Sequence, residues 1–355
     1  MKNEIILKEL EIQDVDKFYQ FIKKNWVKKI NFSKMKKVFN WQYRNKKKYN
    51  FCIAMSKKKI IGVQGFVPMN HYDKQLPKQN LFQAFLRVIE GKYIGTSIKL
   101  HKFIEKISNA NFIGVIGIDK VTHKFHQWLG FTINKMDHHV VFSEKKKIFK
   151  IAIVRKKIYQ KDINNLNSCD FIELNKKNIN KLIKKNFFKP YIPRKSSRFL
   201  INRYLNNPFY KYLVFSIVQK SKPRCIIVIR PIFIKNSIVL RFVDYIGSSS
   251  YFPLTFEISK KLIKKYNAEY LDIYSYGISK KILKKAGYIN RYNVKNLIVP
   301  NYFEPFVREN IFIKNYSNKT PLQRMAKRTD LNGIIHLLCS DEASYITGSI
   351  LVVDG

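Results

Sequence analysis

At 355 residues, with 46% hydrophobic and 14% aromatic side chains, the chain is long enough for about two domains with sizeable cores. It holds no run of about 18 uncharged apolar residues, so no membrane span is expected. Its four cysteines, at 52, 169, 225 and 339, form no CxxC pair, which argues against a disulfide framework or a metal centre and fits a reducing cytoplasm. The formal net charge of +44 comes from Lys spread through the chain together with Asn and Ile. That is a compositional bias and not a dedicated nucleic-acid patch, but it predicts attraction of anionic ligands.

The opening "MKNEIILKEL" breaks its apolar residues with charges, and neither a signal peptide nor a lipidation site is expected there. "KELEIQDVDKFYQFIKKNW" then reads as an acidic turn leading into an amphipathic helix. A stretch with Tyr43 and Asn45 precedes a β-hairpin, "NFCIAMSKKKIIGVQGFVP", whose apolar arms flank a Lys turn. "NLFQAFLRVIEGKYIGTSIKLHKFIEKI" reads as a strand, a turn with Gly91 and Gly95, and a helix from about Thr96. A buried strand, "NFIGVIGI", follows. A short helix then ends at Gly130 in "FHQWLGFTI", where Gly permits positive φ. A closing strand completes the unit.

The same order returns in the second half. "FIELNKKNINKLIKKNFF" places Leu174 where Leu10 stood, "NRYLNNPFYKYLVFS" matches Tyr204 to Tyr43, and "LKKAGYINR" matches Gly287 to Gly130. These offsets of 164, 161 and 157 fall slowly and in order, which indicates two diverged copies of one unit. The β-α-β-β-β-α-β-α-β pattern predicts mixed, mostly antiparallel sheets with helices on their faces.

On "ELEIQDVDKFYQFI", "KKKIIGVQGF", the strand–turn–helix at 85–105 and "FHQWLGF", the chain resembles the GNAT (general N-acetyltransferase) superfamily over about 1–316. The resemblance implies an α/β fold of the α+β type, with two tandem mixed sheets: residues 1–155 with the acyl-CoA site, and a diverged copy over 156–318. It implies acetyl-CoA or another acyl-CoA as co-substrate, with no metal. Gly91, Lys92, Tyr93, Ile94, Gly95 and Thr96 would cradle the pyrophosphate at a helix N-terminus. Strand backbone from Leu86 to Val88 would pair with the pantetheine. The family turn is Q/R-x-x-G-x-G/A; here Glu90 stands in the basic or amide position and Tyr93 replaces the middle Gly.

The resemblance also implies direct attack of an amine on the thioester, with backbone N–H groups near Val88 polarising the carbonyl. His126 lies four residues before Gly130, where family members often carry a Tyr general acid, and it would protonate the departing thiolate. Glu90 is a second candidate, as a base. The second copy has only Gly247 in its turn and reads as a wall of the acceptor pocket. Asp244 and Tyr276 sit at predicted strand ends there, with Trp41 and Tyr43 as further substrate-binding candidates. "IVPNYFEPF" resembles the closing strand of GNAT-like proteins from surface-sugar clusters. The expected acceptor is therefore a small-molecule amine, an amino sugar or nucleotide sugar among them. A catalytically inactive GNAT-like binding protein, and a homo-oligomer, stay open.

The last segment, 319–355, resembles the C-terminus of short-chain dehydrogenases on "TPLQRMAKRTDLNGIIHLLCSDEASYITGSILVVDG". That resemblance implies a helix from Asp330, a turn at Thr347-Gly348 and a final strand, here as an appendage. A dehydrogenase is the alternative function. Against it, the first 60 residues hold no Gly for a dinucleotide turn, and the Y-x-x-x-K spacing of Tyr276 and Lys280 falls inside the repeat.

Overall fold

The structure is a computed structural model that describes residues 4–25, 32–89, 93, 95–118, 120–154, 169–234, 236–294, 297–300, 322, 328–344 and 346–347. The chain divides into a unit over 1–299 and a second over 300–355. The first unit is mixed α/β, with two mixed sheets and flanking helices. The first sheet comprises β1 (Ile6–Glu11), β2 (Arg44–Asn45), β3 (Lys48–Ser56), β4 (Lys59–Pro68), β5 (Asn80–Val88) and β6 (Phe112–Val115), in the order β1-β3-β4-β5-β6 with β2 beside β3. The second holds β7 (Asp137–Phe142), β8 (Cys169–Glu173), β9 (Leu213–Gln219), β10 (Lys222–Ile234), β11 (Ser237–Gly247), β12 (Tyr270–Ser275) and β13 (Ile289–Asn290), in the order β13-β7-β12-β11-β10-β9-β8.

The repeat read from the sequence is visible in these orders. The run β1-β3-β4-β5-β6 has its counterpart in β8-β9-β10-β11-β12. Only the last step of each run, β5–β6 and β11–β12, is parallel. The hairpin turns correspond too. Lys57 and Lys58 have φ of 47° and 63°, and Lys220 and Ser221 have 50° and 59°. Paired left-handed residues match the strand twist of a two-residue hairpin turn, although non-Gly residues there carry steric strain.

Helices α1 (Val15–Asn25) and α2 (Phe32–Tyr43) belong to the first half, with α3 (Thr96–Ser108) and α4 (Lys120–Trp128). The second half supplies the short α5 (Ile179–Leu182) and α6 (Ser197–Leu200), then α7 (Thr255–Lys265) and α8 (Lys280–Lys285). Their apolar faces explain the packing. Phe18, Phe39, Phe51 and Ile53 from the first half share one core with Leu174, Phe199, Val214 and Ile246 from the second. The α3 side of the first sheet buries Leu81, Leu100 and Ile104, and the α7–α8 side of the second buries Phe256, Leu262 and Leu283.

The sheets divide the chain differently from the sequence repeat. The strand that closes the first repeat, β7, lies in the second sheet between β12 and β13, antiparallel to both. Its alternation sends His138, Val140 and Phe142 to one face and His139 and Val141 to the other, all buried. After β7 the chain is tied down by Glu269, whose buried carboxylate accepts the backbone N–H groups of Lys150 and Ile151, each at 2.9 Å. The link between the halves is thus an exchanged strand and not a surface linker alone.

In the second unit, a 3₁₀ turn over Arg328–Leu331 leads into α9 (Asn332–Leu338), followed by a 3₁₀ turn over Asp341–Ala343. Leu331, Ile335 and Leu338 are exposed. The expected final strand lies outside the described residues. Among those described, no helix is long and apolar enough to cross a membrane.

Candidate functional site

Each sheet opens at its parallel step. Strand β6 pairs with β5 only from Asn80 to Gln83, yet β5 continues to Val88. Just past the last paired residue, Phe85 is an extra residue in the register with β4, between Ala84 and Leu86. In the second sheet, β12 pairs with β11 only from Leu240 to Phe242, and the extra residue is Val243. A bulge bends its strand and ends pairing locally. Both openings therefore follow from one inserted residue, and each leaves an edge of backbone N–H and C=O groups facing a gap.

At the first opening, Leu86, Val88 and Tyr93 pack partly buried against the α3 core. Gly95, with φ of 81°, caps α3 in a conformation that side chains disfavour, and the N–H of Thr96 bonds the carbonyl of Tyr93. The predicted turn residues Glu90, Gly91, Lys92 and Ile94 lie outside the described residues. Behind β5 runs a buried polar chain. Gln64 Nε2 donates to Gln83 Oε1 at 3.0 Å, and the Gln83 amide meets His101 Nδ1. Burial pushes the His101 pKa down, against the opposing charge of Glu105. His126 is 3% exposed. Its Nδ1 lies 2.9 Å from the Thr122 carbonyl, its ring packs on Phe131 and His101, and its Nε2 has no hydrogen-bond partner among the described residues.

The second opening is charged. Lys195 Nζ donates to both oxygens of Asp244, at 2.6 and 2.7 Å, and the Tyr204 hydroxyl donates to Oδ2 at 2.9 Å. Burial first, and then the Asp244 charge, hold the Tyr204 phenol well above its ordinary pKa. The Arg203 guanidinium lies over the Tyr72, Phe199 and Tyr204 rings. Trp41 contacts Tyr72 at 5.6 Å, so a chain of rings joins Trp41 to Asp244. Tyr43, 2% exposed among Phe39 and Phe51, lies beside this chain: burial first, and then Tyr72, push its phenol pKa up, and the Arg203 charge acts the other way. Tyr276 lies at an exposed rim, its hydroxyl accepting from Asn134 Nδ2 at 2.8 Å.

A second cluster binds the sheet together. Arg241 donates twice to Asp272, Nε at 3.0 Å and an η nitrogen at 2.6 Å, and His138 Nε2 lies 3.0 Å from the same carboxylate. His138 stacks on Tyr274 with ring centroids 3.9 Å apart. Burial alone raises the Asp272 pKa, but Arg241 and His138 more than offset it, and the acid is held below its ordinary value. Opposite Arg241 in register stands Arg230, which lies over Tyr210 at 4.1 Å. Burial, with the Arg241 charge, pulls the Arg230 pKa down.

Of the predicted residues, then, Asp244 and Trp41 share one polar–aromatic chain with Tyr43 beside it, and Leu86, Val88, Tyr93, Gly95 and Thr96 share the first opening. Sequence reading missed Lys195, Arg203, Arg241, Asp272 and His138. One signal was available: in a chain rich in Lys, six of the 13 arginines fall between 194 and 241. Among the described residues, no group of three or more His, Cys, Asp or Glu side chains could hold a metal.

Comparison with known proteins divides along the same line as the chain. Over most of its length the fold is similar to that of a GCN5-related N-acetyltransferase from Anabaena variabilis, at 12% identity and TM-score 0.52, covering 84% of this chain and 71% of that one. At so low an identity the likeness establishes the GNAT-like fold alone. An N-myristoyltransferase of Saccharomyces cerevisiae, solved with myristoyl-CoA, aligns with 81% of this chain and 78% of its own, at 10% identity and TM-score 0.46. Residues 296–355 match the family model described as Enoyl-(Acyl carrier protein) reductase. A tropinone reductase homolog of Arabidopsis thaliana is 32% identical over 65 residues, 17% of this chain; the chain spans a quarter of that relative's length.

Proposed function

We propose that the chain is a cytoplasmic acyl-CoA-dependent N-acyltransferase acting on a small-molecule amine, with an amino sugar or nucleotide sugar as the acceptor class. The observation that carries this is the first opening. From Ala84 to Val88, β5 presents main-chain donors and acceptors along one edge with no strand beside it among the described residues. An extended ligand bearing amides, as pantetheine does, can add there as a strand adds to a sheet edge. Acyl-CoA would supply a thioester carbonyl open to attack by an amine.

The chain's own residues fit that ligand. Leu86, Val88 and Tyr93 offer an apolar wall, Gly95 opens the turn before α3, and Lys92 adds a positive charge for phosphate. His126 Nε2 has no hydrogen-bond partner among the described residues, and because Nδ1–H faces the Thr122 carbonyl, Nε2 would give a proton to a leaving thiolate from the protonated ring; Glu90 is the candidate base. Asp244, with its Lys195 and Tyr204 partners, and Trp41 stand on the acceptor side. Titration calorimetry with acetyl-CoA tests the reading. The expected result is 1:1 binding; no heat at millimolar ligand from folded protein would leave a non-catalytic GNAT-like scaffold.

A dehydrogenase is the second reading, favoured by the match of 296–355. The first glycine of the chain is Gly62, and both sheets are mixed, so no dinucleotide turn follows a first parallel strand. Enhanced NADPH fluorescence on adding the protein would support that reading over ours.

A further inference from the structure

We infer that a cationic cleft beside Asp244 binds a phosphate or diphosphate group of the acceptor; the word acceptor rests on the acyl-transfer reading, the anion site does not. The cleft has a volume of about 640 Å³ and lies between the segment around Asp73 and Leu76 and residues 180–202 of the second half. Leu76, Ile183 and Phe188, all buried, line it from below. Lys184, Lys185, Lys189, Arg194 and Arg198 also line it, and all five are exposed.

In a chain of net charge +44, such cations need a cause beyond composition. Counter-charge is the first test. The one carboxylate of the cleft among the described residues, Asp73, is already engaged: the Ser196 hydroxyl donates to Oδ2 at 2.6 Å, and the Gln75 N–H donates to Oδ1 at 3.1 Å. Among the described residues none of the five cations forms an ion pair, while lysines elsewhere do, as in Lys8–Asp14 and Lys260–Glu144. Five like charges around one cavity repel one another, and a bound anion relieves that repulsion.

The second test is residue type. Compositional bias delivers Lys, but this cleft also carries Arg194 and Arg198. The guanidinium presents planar paired donors that match phosphate oxygens. Position completes the argument. Lys195 lines the cleft, and its ammonium bonds Asp244 on the part of β11 beyond its pairing with β12, so an anion held here sits beside the second opening. The volume falls in the range that holds small molecules, large enough for a sugar phosphate and not merely an ion.

Inorganic pyrophosphate, titrated into the full chain by calorimetry at fixed salt, is the probe. We expect 1:1 binding and a loss of at least about tenfold in affinity for Arg194→Ala/Arg198→Ala, because two charge-assisted contacts disappear. Lys184→Ala/Lys185→Ala should weaken binding in the same direction. Lys281→Ala/Lys284→Ala on α8 removes the same charge and should leave the affinity unchanged. Saturating acetyl-CoA should not displace pyrophosphate. Absence of binding, or an equal loss in the α8 variant, would overturn the site as a diffuse charge effect. Displacement by acetyl-CoA would overturn it by giving the cleft to the donor's phosphates. A short RNA that binds more tightly, and is lost in the same variants, would overturn it in favour of a nucleic-acid surface. Failure of acetyl-CoA to bind at all would remove the acyl-transfer reading and leave the pyrophosphate result intact.

Discussion

Replacing Asp272 with Asn is expected to be among the most damaging single changes in the protein. The side chain is 1% exposed and is the shared acceptor for Arg241 and His138, at 2.6 to 3.0 Å. Asn keeps the shape but removes the charge, leaving a largely buried guanidinium without its counter-ion. Breaking a buried pair from one side costs about 3–5 kcal/mol, a large part of a typical stability of about 5–15 kcal/mol. Removing the exposed pair Lys48–Glu9 should cost less than about 1 kcal/mol by contrast. The assay is urea denaturation followed by circular dichroism, where the midpoint should fall by about 1 M or more for Asp272→Asn. Replacing both partners, as in Asp272→Leu/Arg241→Met, should recover part of the loss. The wild-type pair also has a pH signature. The folded acid titrates below its unfolded value of about 3.9, so its contribution is complete above that pH and is lost as pH falls through the folded value. A midpoint for Asp272→Asn within about 0.3 M of wild type would refute the reasoning, because it would mean the three groups do not meet as described.

Further expectations follow from other parts of the fold. Burial lowers the pKa of His71, His101 and His139, so the unfolded chain binds more protons below about pH 6.5. The urea midpoint should therefore drop between pH 7.5 and pH 5.5, and a flat profile would contradict neutral buried imidazoles. Glu269→Ala removes the buried acceptor of two part-buried N–H groups and should cost about 1–3 kcal/mol in the same assay. Lys58→Gly relieves a left-handed φ of 63° and should raise stability by about 1 kcal/mol; a loss would mean the turn is not strained. A chain ending at residue 318 should keep a cooperative thermal melt, because both sheets lie within 1–299.

The repeating order of elements was legible because it rests on local signals. The Lys turns of both hairpins, the Gly turn before α3 and the helix ends at Gly130 and Gly287 punctuate apolar runs of the right period. Where β7 would pair was not legible. "DHHVVF" announces a half-buried strand, but alternation says nothing about which sheet receives it, and pairing across more than 120 residues leaves no local trace. The same limit applied to the site. Asp244 was readable as a polar residue late in a strand, whereas its partners Lys195 and Tyr204 are 49 and 40 residues away. His126 was found by counting back from Gly130, which fixed its helix but not its burial against His101 and Phe131. Asp272 and Arg241 each look like one charge in an apolar strand, and only the parallel register of β11 and β12 brings them together.

The most direct test of the donor site is hydrogen–deuterium exchange of the full chain with and without millimolar acetyl-CoA. A strand-like ligand in the first opening should slow exchange at backbone amides between Ala84 and Val88, which have no strand on that side among the described residues, and leave the Asp244 segment of β11 unchanged. No protection at 84–88, or protection confined to 243–247, would contradict the placement of the acyl donor in the first half.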